Sequence, residues 1–149
     1  MKTQSSILII EDSDEDYEVM NWALRQAGWT GYIVRTICAE DALNLITSGN
    51  GGMDTDQQDH SSLPCLILLD LSLPGIGGIA FLRELYQDGS FPAIPVIVVA
   101  TSSHPGDMAV CRSLGAEAYV TKPASLEAYV KTMRDLLNHG SDVVKLRKT

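Results

Sequence analysis

The stretch Leu66-Ile67-Leu68-Leu69-Asp70-Leu71-Ser72-Leu73-Pro74 places an unbroken apolar run directly before a carboxylate and a proline-containing loop. A short continuous apolar run of this kind reads as a strand buried on both faces, the mark of a parallel sheet covered by helices. Ile7 to Ile10 and Val96 to Ala100 have the same character. Tyr32 to Thr36 and Ala118 to Thr121 are weaker candidates, β-branched or aromatic, that complete a set of five.

Helical patterns with readable ends lie between these strands. Ser13 is an N-cap with Asp16 three residues on, Met20, Ala23, Leu24 and Ala27 line one face, and Gly28 stops the first helix. The second spans Ala39 to Thr47, with Ala42, Leu43 and Ile46 facing inward. The third starts near Gly77 or Gly78 and buries Phe81, Leu82 and Leu85. The fourth opens with Pro105 at its first position and closes at Gly115. The fifth follows Ser125 with a stripe of Leu126, Tyr129, Val130, Met133 and Leu137, and Gly140 lies just beyond it. A βα unit repeated five times implies the α/β class: a doubly wound five-stranded parallel sheet with five helices, right-handed crossovers, and ligands at the carboxyl ends of the strands near the switch point.

At 149 residues and 45% apolar content the chain is the size of one domain. That domain is expected over 1–140, followed by a loosely held basic tail over 141–149 with no output domain. A net charge of −8 repels a phosphate backbone and argues against direct nucleic-acid binding. The N-terminus lacks a secretory pattern and no stretch approaches the roughly 18 apolar residues needed to span a bilayer, so a cytoplasmic protein without membrane insertion is expected. Cys38, Cys65 and Cys111 are odd in number and form no C-x-x-C pair, and all three read as small buried apolar residues. Residues 48–62 look inserted. Asp54, Asp56 and Asp59 there lack the glycine and terminal glutamate of a calcium loop and read as a flexible acidic segment. His60, His104 and His139 share no ligand spacing.

The strongly apolar strands end in residues suited to phosphate chemistry: Glu11 and Asp12 after the first, Asp70 after the third, Thr101 and Ser102 after the fourth. Lys122 ends the fifth. Carboxylates gathered at one rim repel a bare phosphate, and a divalent cation resolves the conflict. Mg²⁺ takes hard oxygen ligands, which Asp12 and Asp70 supply directly and Glu11 through water. Asp70 is also placed to attack a phosphoryl group in line, with Lys122 adding positive charge and Thr101 a hydroxyl donor. Asp14, Glu15, Asp16 and Glu18 read as a solvated helix start favoured by the helix dipole.

These residues resemble the response-regulator receiver domains of two-component signalling. The likeness runs from Ile7 to about Asn138 and rests on Glu11-Asp12 after Ile-Leu-Ile-Ile, on Asp70 with Pro74 and Gly78 after it, on Thr101-Ser102 after Val-Ile-Val-Val-Ala, and on Lys122-Pro123. It implies a flavodoxin-like sheet with strand order 2-1-3-4-5 and Asp70 as phosphoacceptor. It further implies Mg²⁺, with Mn²⁺ as a substitute, held by Asp12, Asp70 and the Ser72 backbone carbonyl with Glu11 as outer-sphere helper. Thr101, Ser102 and Lys122 would bind phosphoryl oxygens, Thr101 and Tyr119 would form the switch, and the Lys122–Pro123 bond would be cis. The protein would then be a phosphoacceptor and not an enzyme, catalysing only its own phosphorylation and dephosphorylation. Its partners would be a sensor histidine kinase, phytochrome-type or other, and a downstream protein, a phosphotransfer partner or a second copy of the chain. Ser72 and Ser102 depart from the commoner residues at positions that tune phosphate lifetime.

Two other readings compete. Gly75-Ile76-Gly77-Gly78-Ile79-Ala80 matches G-x-G-x-x-A, but it follows the third strand and lacks a ribose-binding acid about 20 residues on, which weakens a dinucleotide-binding reading. An aspartyl-phosphate phosphohydrolase would use Asp70 and Lys122 as well, yet it needs a second aspartate where Ser72 stands.

Overall fold

The computed structural model describes residues 5–47, 63–87, 94–101 and 104–148, with side chains to 138 in the last helix. The inserted segment 48–62, with its acidic residues and His60, lies outside the described residues, as do Ser102 and the side chain of His139.

The chain runs β1 (Ser6–Ile10), α1 (Asp14–Gln26), β2 (Tyr32–Thr36), α2 (Ala39–Thr47), β3 (Leu66–Leu69), α3 (Gly77–Gln87), β4 (Val96–Ala100), α4 (Pro105–Leu114), β5 (Ala118–Thr121) and α5 (Leu126–Lys148). All strand pairs are parallel, in the order β2-β1-β3-β4-β5. This is the doubly wound, flavodoxin-like arrangement expected from the sequence.

Strand residues alternate between two cores because successive side chains point to opposite faces. Leu8 and Ile10 of β1, Ile67 and Leu69 of β3 and Val96 and Val98 of β4 pack with Ala42 and Ile46 of α2, Phe81, Leu82 and Leu85 of α3 and Cys111 of α4. Ile7 and Ile9, Leu66 and Leu68, and Ile97 and Val99 face the other way, onto Met20, Ala23 and Leu24 of α1 and Tyr129 and Met133 of α5. A strand that feeds both layers has no polar position to spare, which is why β1, β3 and β4 read as continuous apolar runs.

The helix ends follow local chemistry. The Ser13 side chain accepts from the Asp16 amide at 3.2 Å and caps α1. Pro105 opens α4 behind His104, and Gly115 closes it at φ 117, its amide donating to the Arg112 and Cys111 carbonyls.

Three expectations are corrected here. Helix α5 does not stop at Gly140 but continues to Lys148; an interior glycine costs only about 1 kcal/mol and does not break a run of otherwise permissive residues. Leu126, placed in the buried stripe, is 55% exposed because it lies in the first turn, before the helix settles on the sheet. Of the cysteines only Cys111 is buried, while Cys38 is half-buried and Cys65 exposed. Cys65 sits at the rim, just ahead of β3, where its amide donates to the Ser6 carbonyl. None of the described helices is long and apolar enough to cross a membrane.

Candidate functional site

The register of the central strands builds the site. Ile10 pairs with Leu69, and the Asp70 amide donates to the Ile10 carbonyl at 3.1 Å, so Glu11 and Asp70 leave the sheet side by side. On the far side Ala100 pairs with Thr121, and the Lys122 amide donates to the Ala100 carbonyl at 2.7 Å, which brings Lys122 to the same rim.

Four of the residues singled out in the sequence come together there. Glu11, Asp12 and Asp70 present carboxylate oxygens within 4.8 Å of one another, Glu11 and Asp70 buried and Asp12 exposed. Lys122 Nζ lies 3.1 Å from Glu11 Oε1 and 3.7 Å from Asp70 Oδ1. Asp70 Oδ1 also accepts from the Ser72 amide at 3.3 Å. Thr101 stands exposed at the end of β4, and Tyr119 on β5 pairs with Val98 and packs half-buried against the core beneath α3 and α4.

The electrostatics ask for more positive charge than the side chains supply. Burial, and then the charge of Asp70, lift the Glu11 carboxyl from its ordinary 4.5 to about 7, even with Lys122 beside it. Lys122 in turn loses from burial but is held protonated well above its ordinary range by Asp16, Asp70 and Glu11. Three hard oxygen donors with an uncompensated charge fit a small divalent cation, with Glu11, Asp12 and Asp70 as the residues able to hold it.

Two residues were missed in the sequence. Asp16, expected in a solvated helix start, instead has its Oδ2 2.7 Å from Lys122 Nζ. It occupies the first turn of α1, which turns back over the rim where β5 ends. Arg35, in β2, donates from Nε to the Glu11 carbonyl at 3.0 Å, pairs through Nη1 with Asp14 at 2.8 Å, and stacks over the Tyr17 ring at 4.8 Å. A charged residue within an otherwise apolar strand was the available sign of such a role. The Lys122–Pro123 bond is trans, contrary to the cis geometry expected. Trans is the lower-energy isomer of an X–Pro bond, and Lys122 makes its contacts with Glu11 and Asp16 in that geometry.

Gly78 has a packing reason for being glycine. A Cβ there would stand 2.8 Å from both the Asp70 carbonyl oxygen and Leu71 Cα, which are backbone atoms that cannot turn aside. Gly78 thus lets α3 approach the acidic rim, while Gly75 and Gly77 hold positive φ of 74 and 83 in the turn before it, so the three glycines are accounted for without a dinucleotide. Gly78→Ala is expected to lower stability by about 2 kcal/mol, read as a shift of the urea midpoint at unchanged slope. A midpoint equal to that of the wild type would show that α3 is free to move away.

Known proteins of similar sequence and structure share this arrangement of strands and helices. The polar-differentiation response regulator DivK of Brucella ovis is 29% identical over 132 residues, covering 89% of this chain and 95% of its own. The phosphorylated cyanobacterial phytochrome response regulator RcpA superposes with a TM-score of 0.77 at 25% identity, over 92% of this chain and 94% of RcpA. The Mn²⁺-bound form of response regulator Rcp1 gives 0.71 at 27% identity, over 89% and 91%. The pattern of the response regulator receiver domain matches residues 7–134, from the first buried strand through Asp70 and Lys122 into the last helix, and the chain belongs to that family.

Proposed function

We propose that the chain is a phosphorylation switch in which Asp70 accepts a phosphoryl group from the phosphohistidine of a sensor histidine kinase in a Mg²⁺-dependent reaction. The observation that carries this reading is a buried carboxylate at a strand end, 3.7 Å from an ammonium and sharing its rim with the oxygens of Glu11 and Asp12. Membership of the receiver family and the phosphorylated and Mn²⁺-bound relatives support it.

An Asp70 carboxylate oxygen attacks phosphorus in line. The new O–P bond forms as the P–N bond to the donor imidazole breaks, and that bonding pair returns to the ring. Asp12, Asp70 and the Ser72 carbonyl would hold the cation, with Glu11 assisting, and the bound cation would neutralise charge on the phosphoryl oxygens. Lys122 contributes the fixed positive charge, and Thr101 and Ser102 donate to the remaining oxygens. Water later attacks the acyl phosphate and ends the signal, so the chain is both substrate and catalyst.

The added charge draws Thr101 toward Asp70, vacating space into which Tyr119 turns, and biases a pre-existing equilibrium at the face formed by α4, β5 and α5. The signal then passes to a protein partner, along a phosphorelay, or into a dimer. Similarity to phytochrome response regulators favours a phytochrome-type kinase and a cytoplasmic setting. The phosphohydrolase alternative is disfavoured because Ser72 stands where a general acid is needed.

Intact-mass analysis after exposure to phosphoramidate tests the reading. One added phosphoryl group, mapped to the peptide containing Asp70 and formed in Mg²⁺ but not in EDTA, is the expected result. An unchanged mass in Mg²⁺ would overturn it.

A further inference from the structure

We infer that Asp16 is a positioning residue that holds Lys122 back from the phosphoryl group and thereby slows its uptake, an inference that rests on the phosphoacceptor reading of Asp70. Lys122 Nζ has three carboxylates within reach, and its shortest contact is with Asp16 at 2.7 Å, against 3.1 Å to Glu11 and 3.7 Å to Asp70. Two of these contacts are hydrogen bonds, to Glu11 and to Asp16. The contact with Asp70 is longer than a hydrogen bond. To bind an oxygen of a phosphoryl group on Asp70, the ammonium has to redirect one of its donors.

Asp16 is well placed to resist that move. Its backbone amide is fixed by the Ser13 side chain, so it cannot drift with Lys122, and the first turn of α1 favours its negative charge. Glu11 is a weaker competitor, because it belongs to the cluster that a cation would neutralise. Asp16 is 106 residues from Lys122 in sequence, so the pair also fastens the start of α1 to the end of β5. Lys122 is 10% exposed in this arrangement and Asp16 39%, so solvent weakens the pair without abolishing it.

Asp16→Asn keeps the shape of the side chain and removes its charge. Phosphoryl uptake from phosphoramidate in Mg²⁺ is expected to become about fivefold faster, the scale of a partly exposed ion pair. Asp16→Glu, which restores the charge, should return the rate toward that of the wild type. In a Lys122→Met background Asp16→Asn should have no effect on the rate, whereas a general loosening of α1 would act with or without Lys122. An Asp16→Asn rate within twofold of the wild type, or a gain that persists without Lys122, would overturn the role of Asp16 alone. A wild type that takes up no phosphoryl group would overturn the acceptor reading, and this inference with it.

Discussion

Asp70→Asn is expected to abolish phosphoryl uptake and, in metal-free buffer at neutral pH, to make the fold harder to unfold. The first effect follows because the amide has no anionic oxygen to attack phosphorus, and a loss of more than about a thousandfold is the usual scale for removing a nucleophile. The second follows from crowding. Glu11, Asp16 and Asp70 stand around one ammonium with Asp12 beside Glu11 and Asp70, Glu11 and Asp70 are buried, and the charge of Asp70 helps to raise the Glu11 carboxyl. Asparagine keeps the shape and the oxygen that accepts from the Ser72 amide while removing one charge. A gain of about 1–2 kcal/mol is expected by urea unfolding in EDTA. An Asn variant that still gains mass would refute the first effect, and one that unfolds more easily than the wild type would refute the second.

The second large effect concerns pH and the metal together. The folded chain holds a proton on Glu11 up to about pH 7, whereas the unfolded chain releases it near 4.5. Between those values the folded state binds more protons, so the Glu11 contribution to stability is full below pH 4.5 and is lost as pH rises through 7. The loss is on the order of 3 kcal/mol. It can be isolated as the stability difference between the wild type and Glu11→Gln, measured in EDTA at pH 4.5 and 7.5. A cation competes with that proton for the same carboxylates, so Mg²⁺ is expected to stabilise the wild type strongly at pH 7.5 and little at pH 5. A difference that stays flat with pH, or an Mg²⁺ shift equal at both values, would be inconsistent with this coupling.

Much of the fold was legible because its signals are local. The bounds of α2, β2, β4 and β5 follow from the hydrophobic pattern, and those of α4 from the punctuation of Pro105 and Gly115. The convergence of Glu11, Asp12, Asp70 and Lys122 was legible one step further on, since parallel strands bring their carboxyl ends to one rim. Asp16 was not. A run of acids at a helix start has a sufficient local explanation, and nothing near it in the sequence announces a lysine 106 residues away. Cys65 failed for a related reason, because a residue type that favours burial says nothing about whether its position lies at a rim. Gly140 shows the limit of punctuation, since a single glycine can end a helix or be absorbed by it.

The contacts of Arg35 bear on how quickly the switch can be armed. The loop after β1 is tied down by the Glu11 amide on the Thr36 carbonyl, by Arg35 on the Glu11 carbonyl and Asp14, and by the Ser13 amide on Glu11 Oε2. These bonds are all made within the polypeptide, so the ordering entropy of the loop is spent during folding and not at the moment an ion arrives. Under the proposed function, a cation would meet a loop already ordered by these bonds, and its capture would call for little rearrangement of that loop.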